Sequence, residues 1–196
     1  YVVASYSNTL HTQGTFRAWR RMASKDKWLR IHNSQEWPDY YDETNTEDRR
    51  RFFDYYLKGV NNGWEQTPRV RYAVLDMEGG DILNQPASEF PSQDVRYKKY
   101  YLDGRTRTLA NEVISQEVKV VYDTQADPGK ASFTTRFDKK TVMLGYPKAH
   151  LWVEAEGADD MDLFVLVQKL DVHGNHLQEF LVPNQGAMMQ DLTDNG

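Results

Sequence analysis

Residues 52–76, FFDYYLKGVNNGWEQTPRVRYAVLD, constrain the fold more than any other stretch of the chain. Phe52, Phe53, Tyr56 and Leu57 recur at the spacing of one face of an amphipathic helix, and that helix runs into Gly59, an expected C-terminal stop. A polar loop with Gly63 and Trp64 follows, and then the alternating strand Val70, Tyr72, Val74. Helix, loop and strand in that order mark the end of an α/β layer and the start of a β-rich module.

The residues before this junction fit the closing units of a parallel sheet. Tyr1-Val2-Val3-Ala4 reads as a buried strand with no turn before it. Thr12 is placed to cap a helix that buries Phe16, Trp19 and Met22. Residues 28–31 form a second short strand that ends at His32. Residues 33–45 read as a polar and aromatic loop with Trp37, Pro38, Tyr40 and Tyr41, and the next helix is expected to begin at Asn45 or Thr46.

After Leu75 the texture changes. Gly79-Gly80, Pro86 and Pro91 mark residues 77–97 as a linker or wrapping loop. Short alternating runs follow at 98–102, 118–122, 131–135, 142–144, 150–155, 163–170 and 176–181. Asp103-Gly104, Asp127-Pro128-Gly129, Gly157 and His173-Gly174-Asn175 separate them as turns. Many short strands with no convincing helix read as an antiparallel sandwich or jelly roll. The chain is thus expected to divide at 1–76, 77–97 and 98–196. It opens in mid-strand, and residues 184–196 are polar with no closing strand, so truncation at both ends is expected.

Composition removes some functions. A net charge of −5 gives no basic face for nucleic acid, and no apolar run approaches the length of a membrane span. The absence of cysteine excludes disulfides, thiolate metal sites and a cysteine nucleophile. It fits a reducing compartment such as the cytoplasm, although a large secreted domain can also lack cysteine. The aromatic content argues for a packed core rather than disorder.

Taken in order, these segments resemble the C-terminal half of the X-Pro dipeptidyl-peptidase and cocaine-esterase class of serine hydrolases, the acyl esterases. The segment Phe52-Phe53-Asp54-Tyr55-Tyr56-Leu57-Lys58-Gly59 is similar to that family's helix at the end of the hydrolase domain, and Pro68 to Leu75 to the strand after it. Leu144-Gly145-Tyr146-Pro147, Leu151-Trp152-Val153, and Leu170-Asp171 before His173-Gly174 resemble the pattern of its C-terminal jelly roll. The resemblance implies the closing strands and helices of an α/β-hydrolase core, followed by that sandwich. It implies a Ser-His-Asp triad acting on acyl esters or X-Pro peptide bonds through an acyl-enzyme, with no cofactor or metal. The nucleophile elbow is absent here: Ser5, Ser7, Ser24 and Ser34 lie outside any G-x-S-x-G turn. The serine is therefore expected upstream of Tyr1, and this chain alone is expected to be inactive.

By the same resemblance, the triad acid falls at Asn8, which can orient a histidine but cannot balance its positive charge. The alternative for Asn8 is a loop residue capping the turn before the first helix. His32 lies nearest the position of the general base, a few residues early, where Gln35 or Glu36 would sit. Its alternative is a structural histidine bonded to the Trp37 loop, and His11 is a further candidate. Glu36, Asp39, Asp42 and Glu43 are either a substituted acid, a site for a cationic substrate terminus, or a solvated loop face. Asp159, Asp160 and Asp162 invite calcium but are explained better by a hairpin turn. Tyr146 and Trp152 are expected in a core rather than on a sugar-binding face.

Expected partners are a small acyl ester or peptide substrate and the remainder of the hydrolase domain. The edge at Tyr1 to Ala4 and the face around Phe52 and Trp64 are expected to be exposed and apolar, needing missing sequence, a partner chain or a second copy as cover. A non-catalytic β-sandwich binding module with a vestigial hydrolase segment is the alternative function.

Overall fold

The computed structural model describes residues 1–8, 10–76 and 80–177. They fall into two compact units, residues 1–93 with those from 145 onward, and residues 94–144.

The first unit is built on a mixed sheet in the order β1-β2-β3-β4: β1 (Val2–Ser5), β2 (Leu29–His32), β3 (Val70–Val74) and β4 (Ile82–Ala87). The first three strands are parallel, with Val2 opposite Leu29 and Leu29 opposite Val70. Strand β4 pairs antiparallel to β3, Val70 facing Ala87. It lies inside the segment expected to be a linker. Asn84 at φ 54 and a register shift between Tyr72 and Val74 break its regularity, and Pro86 stands within it. An edge strand tolerates proline because one row of its amides is unpaired anyway, so Pro86 was a misleading breaker.

Helix α1 (Thr12–Arg21) buries Phe16 and Trp19, while Met22 lies just past its end and is exposed. Thr12 does not cap it: its hydroxyl donates to the Ser5 carbonyl at 2.6 Å. Helix α2 (Glu36–Tyr41) occupies the expected loop. Pro38 falls in its first turn, where a missing amide proton costs nothing, so it does not break the helix. Helix α3 (Glu43–Lys58) starts two residues earlier than expected, because Asp42 caps it by accepting from the Asn45 amide at 2.9 Å. Gly59 ends it at φ 66, as its left-handed conformation requires. Asp54 ties the last turns together through Arg50 at 2.7 Å and Lys58 at 2.6 Å.

The core covers both faces of the sheet: Trp28 packs on Phe52 of α3, Leu29 and Ile31 alternate to the other face, and Phe16 and Trp19 of α1 are buried too. Trp28, Leu29, Ile31, Trp64 and Val70 are fully buried. Trp64, in a one-turn 3₁₀ helix (Trp64–Gln66), sits 5.2 Å from Tyr1, 5.6 Å from Trp28 and 5.3 Å from Phe52 between ring centres. The face expected to be open is therefore closed at Trp64, and exposure shifts outward to Phe53, Tyr56, Leu57 and Val60. Strand β1 stands at an end of the sheet with Val2 and Val3 half-buried and Ala4 buried.

In the second unit, β5 (Tyr101–Asp103) and β6 (Thr108–Ala110) form a hairpin around the expected Asp103-Gly104 turn. Asp103 accepts from the Arg105 amide at 2.8 Å, which fixes the reversal. Thr108 also bridges Thr134 within the expected 131–135 run. The runs at 118–122 and 142–144 carry no ladder, nor in the first unit do those at 150–155 and 163–169, where Trp152 and Phe164 are each 87% exposed. Alternation fixes which face a strand would bury; its pairing partners are fixed by register, which the pattern does not encode. A single Leu170–His176 bridge closes the expected turn at 173–175, with Asp171 accepting from the Asn175 amide at 2.8 Å. Most of the 176–181 run and the 184–196 tail lie outside the described residues. No described helix is long and apolar enough to cross a membrane.

Candidate active site at the ends of the parallel strands

Strands β1 and β2 run parallel with Ser5 opposite His32, so the segments that leave them, 5–8 and 32–35, stand side by side. The carboxyl ends of parallel strands are where open α/β sheets form their ligand crevices. Here the two segments are stapled together. Ser5 Oγ donates to the Ser34 carbonyl at 2.6 Å, and Gln35 Nε2 donates to the Ser7 carbonyl at 3.3 Å.

Asn8 is engaged in its own turn. Its Oδ1 accepts from the Leu10 amide at 2.8 Å and the His11 amide at 2.6 Å, guiding the chain into α1. Among the described residues no hydrogen bond joins Asn8 to His32. His11 is exposed at the start of α1.

His32 is 6% exposed, at the end of the buried strand β2. Its Nδ1 lies 3.5 Å from Asp39 Oδ1 and 3.4 Å from Ser34 Oγ. Burial lowers its pKa to about 4; Asp39 opposes that shift and Arg30 reinforces it. The imidazole is thus neutral at neutral pH, the form that accepts a proton.

Asp39 on α2 is 7% exposed and is clasped by Arg30 on β2. Arg30 Nη1 donates to Asp39 Oδ1 at 2.8 Å, Nη2 donates to Oδ2, and Asn45 Nδ2 adds a bond to Oδ1 at 3.1 Å. The planar guanidinium matches a carboxylate with two parallel bonds, which is how a buried charge is tolerated. The network continues through the Tyr1 hydroxyl, which accepts from Arg30 Nε at 3.2 Å and from Arg71 Nη2 at 2.9 Å and donates to Asp48. Burial pushes the Tyr1 phenol up to about 12.

A cleft of about 260 Å³ opens here, lined by His32, Ser34, Pro38, Asp39 and Asn45 among others. Of the four acidic candidates, Asp39 alone comes within ion-pair distance of His32. Asp42 caps α3, Glu43 is exposed and Glu36 is half-buried. Sequence reasoning passed over Arg30. Its signal was a charged residue in the otherwise apolar run Trp28-Leu29-Arg30-Ile31, since a charge in a buried strand requires a partner.

The remaining candidates separate cleanly. Among the described residues no group of three or more His, Asp or Glu side chains could hold a metal ion. Tyr146 packs against Phe16 at 6.1 Å and Phe90 at 5.6 Å, a core role. Trp152 is not in a core: it stands exposed and packs on His150 at 4.5 Å. Arg50 pairs with Glu47 and Asp54 on the solvated side of α3.

The sequence matches the family of the X-Pro dipeptidyl-peptidase C-terminal non-catalytic domain over residues 62–189. Two crystal structures of a CocE/NonD family hydrolase from Staphylococcus aureus superpose with TM-scores of 0.66 and 0.67 at 37% identity. In each case the match covers 70% of this chain and 25% of the hydrolase. A comparison with curated proteins finds no match.

Proposed function

This chain belongs to the X-Pro dipeptidyl-peptidase C-terminal domain family, and on that premise we propose that it is the closing part of a serine hydrolase of the CocE/NonD type. The reaction is cleavage of acyl esters or X-Pro peptide bonds through an acyl-enzyme. The nucleophilic serine and its oxyanion donors come from residues outside this chain. The observation that carries the reading is the 37% identity to a CocE/NonD hydrolase across 70% of this chain. The segments leaving β1 and β2 support it, because they present a neutral His32 beside a cleft at the carboxyl ends of parallel strands.

In this reading residues 1–76 complete an α/β-hydrolase layer, 77–97 follow with β4 added to its sheet, and the alternating runs from 98 on belong to a jelly-roll sandwich. The alternation of the later runs and the family match over 62–189 support the sandwich. His32 acts as general base. Asn8 holds the turn into α1 in the position where the family resemblance puts the acid. A second reading is a binding module without catalysis. It is favoured by the engagement of the Asn8 amide in its own turn and by the non-catalytic character of the matched domain family.

A fluorophosphonate probe separates the two. The whole protein that carries this chain is expected to label at a serine outside residues 1–196, and His32→Gln to slow labelling by at least about 10²-fold. The 196-residue chain alone is expected to stay unlabelled. A whole protein that takes no label would establish the binding-module reading instead.

A further inference from the structure

We propose that Asp39 is the positioning residue for His32, holding the imidazole as the Nδ1–H tautomer so that Nε2 is the proton acceptor, in the place that Asn8 leaves unfilled. The inference rests on the reading of His32 as general base. Two groups face Nδ1: the Asp39 carboxylate at 3.5 Å and the Ser34 hydroxyl at 3.4 Å. The carboxylate can only accept. The Ser34 hydroxyl can turn its one hydrogen to the Gln35 carbonyl at 3.3 Å and then accepts from His32. A carboxylate beside Nδ1 favours the hydrogen on that nitrogen and the lone pair on the other.

Arg30 makes the arrangement rigid. Its fork fixes the plane of the Asp39 carboxylate, and Asn45 holds Oδ1 from the α3 side. Both partners of the pair are almost fully buried, so the geometry is set by packing rather than by solvent. Asn8, by contrast, spends its Oδ1 on two backbone amides. The acid thus reaches the histidine from α2, the helix after its own strand, rather than from the end of β1.

In the reaction, the O–H bond of the nucleophile breaks, its proton passes to His32 Nε2, and its oxygen bonds to the acyl carbon. The same proton then moves from Nε2 to the departing alcohol or amine. Nδ1–H stays in place throughout, and Asp39 offsets the charge of the transient imidazolium.

The test uses the whole protein carrying this chain, with ¹⁵N-labelled histidine, and compares it with Asp39→Asn and with the double variant Arg30→Met/Asp39→Asn. The double variant removes both buried charges together, so a fold lost to an unpaired Arg30 does not decide the outcome. The His32 nitrogens of the parent are expected to show Nδ1–H with an unprotonated Nε2, and whichever variant folds is expected to lose that tautomer. With a p-nitrophenyl ester, kcat is expected to fall by at least about 10²-fold with little change in KM. An unchanged tautomer in a folded variant overturns the proposal whether or not the protein turns over ester. If His32→Gln abolishes turnover while Asp39→Asn leaves tautomer and kcat intact, the role of Asp39 falls and the hydrolase reading stands. If His32→Gln leaves turnover intact, the general-base reading falls, and Asp39 with it.

Discussion

His32 couples the site to the stability of the fold. Its folded pKa is depressed to about 4, below the ordinary histidine value of 6.5, chiefly by burial. Above pH 6.5 the imidazole is neutral in both folded and unfolded states, and protonation favours neither. Between 6.5 and about 4 the unfolded chain binds a proton that the folded chain excludes, so stability falls as the pH falls. The full effect is at most about 3 kcal/mol, reached below pH 4. Urea unfolding between pH 7 and pH 4 is expected to show this slope, and His32→Asn to flatten it relative to the parent. Arg30 marks the limit of reading residues one at a time. A charge in an apolar strand requires a partner, but the spacing of Glu36, Asp39, Asp42 and Glu43 does not say which; α2 turns Asp39 inward.

Elements with strong local signals were legible, and those that depend on tertiary context were not. The helix that ends at Gly59 was read from its apolar spacing and its stop, and the structure gives both. Gly59 sits at φ 66, with open space where a Cβ would go, so the penalty for a side chain is conformational rather than steric. Gly59→Ala is therefore expected to cost about 1–2 kcal/mol, seen as a lower midpoint in urea unfolding with an unchanged slope. Helix α2 and strand β4 were hidden by Pro38 and Pro86, residues read as breakers. Each stands where its missing amide proton has no partner to lose. The later runs are the converse case. Their alternation is real, but a strand exists only with a neighbour, and among the described residues beyond β4 the ladder is limited to β5 and β6, with single bridges elsewhere.

At the scale of the whole molecule, the chain covers 25% of the length of the hydrolase it resembles. In the proposed enzyme His32 on β2 would be the base and Asp39 on α2 its positioning carboxylate, with the nucleophile supplied by residues elsewhere. The family was legible because helix, strand and later motifs follow one another in a fixed order along the sequence. The pairing of Asp39 with His32 was less legible, because Asp39 lies seven residues further on and reaches His32 only through the fold of α2.

The aromatic cluster also makes the protein an optical instrument. Trp28 and Trp64 lie 5.6 Å apart with their planes inclined at 55°, close enough for their excited states to mix. The pair should give an exciton couplet in the ultraviolet circular dichroism that vanishes when the 3₁₀ turn leaves the sheet. Trp37 and Trp152 are 58% and 87% exposed and should be quenched by iodide, while Trp28 and Trp64 emit on unaffected. Collisional quenching of Trp64→Phe beside the parent would test this, with loss of the couplet and of part of the protected emission as the expected result. Any partner that covers Trp37 would then register as its protection from iodide, a binding signal that needs no added dye.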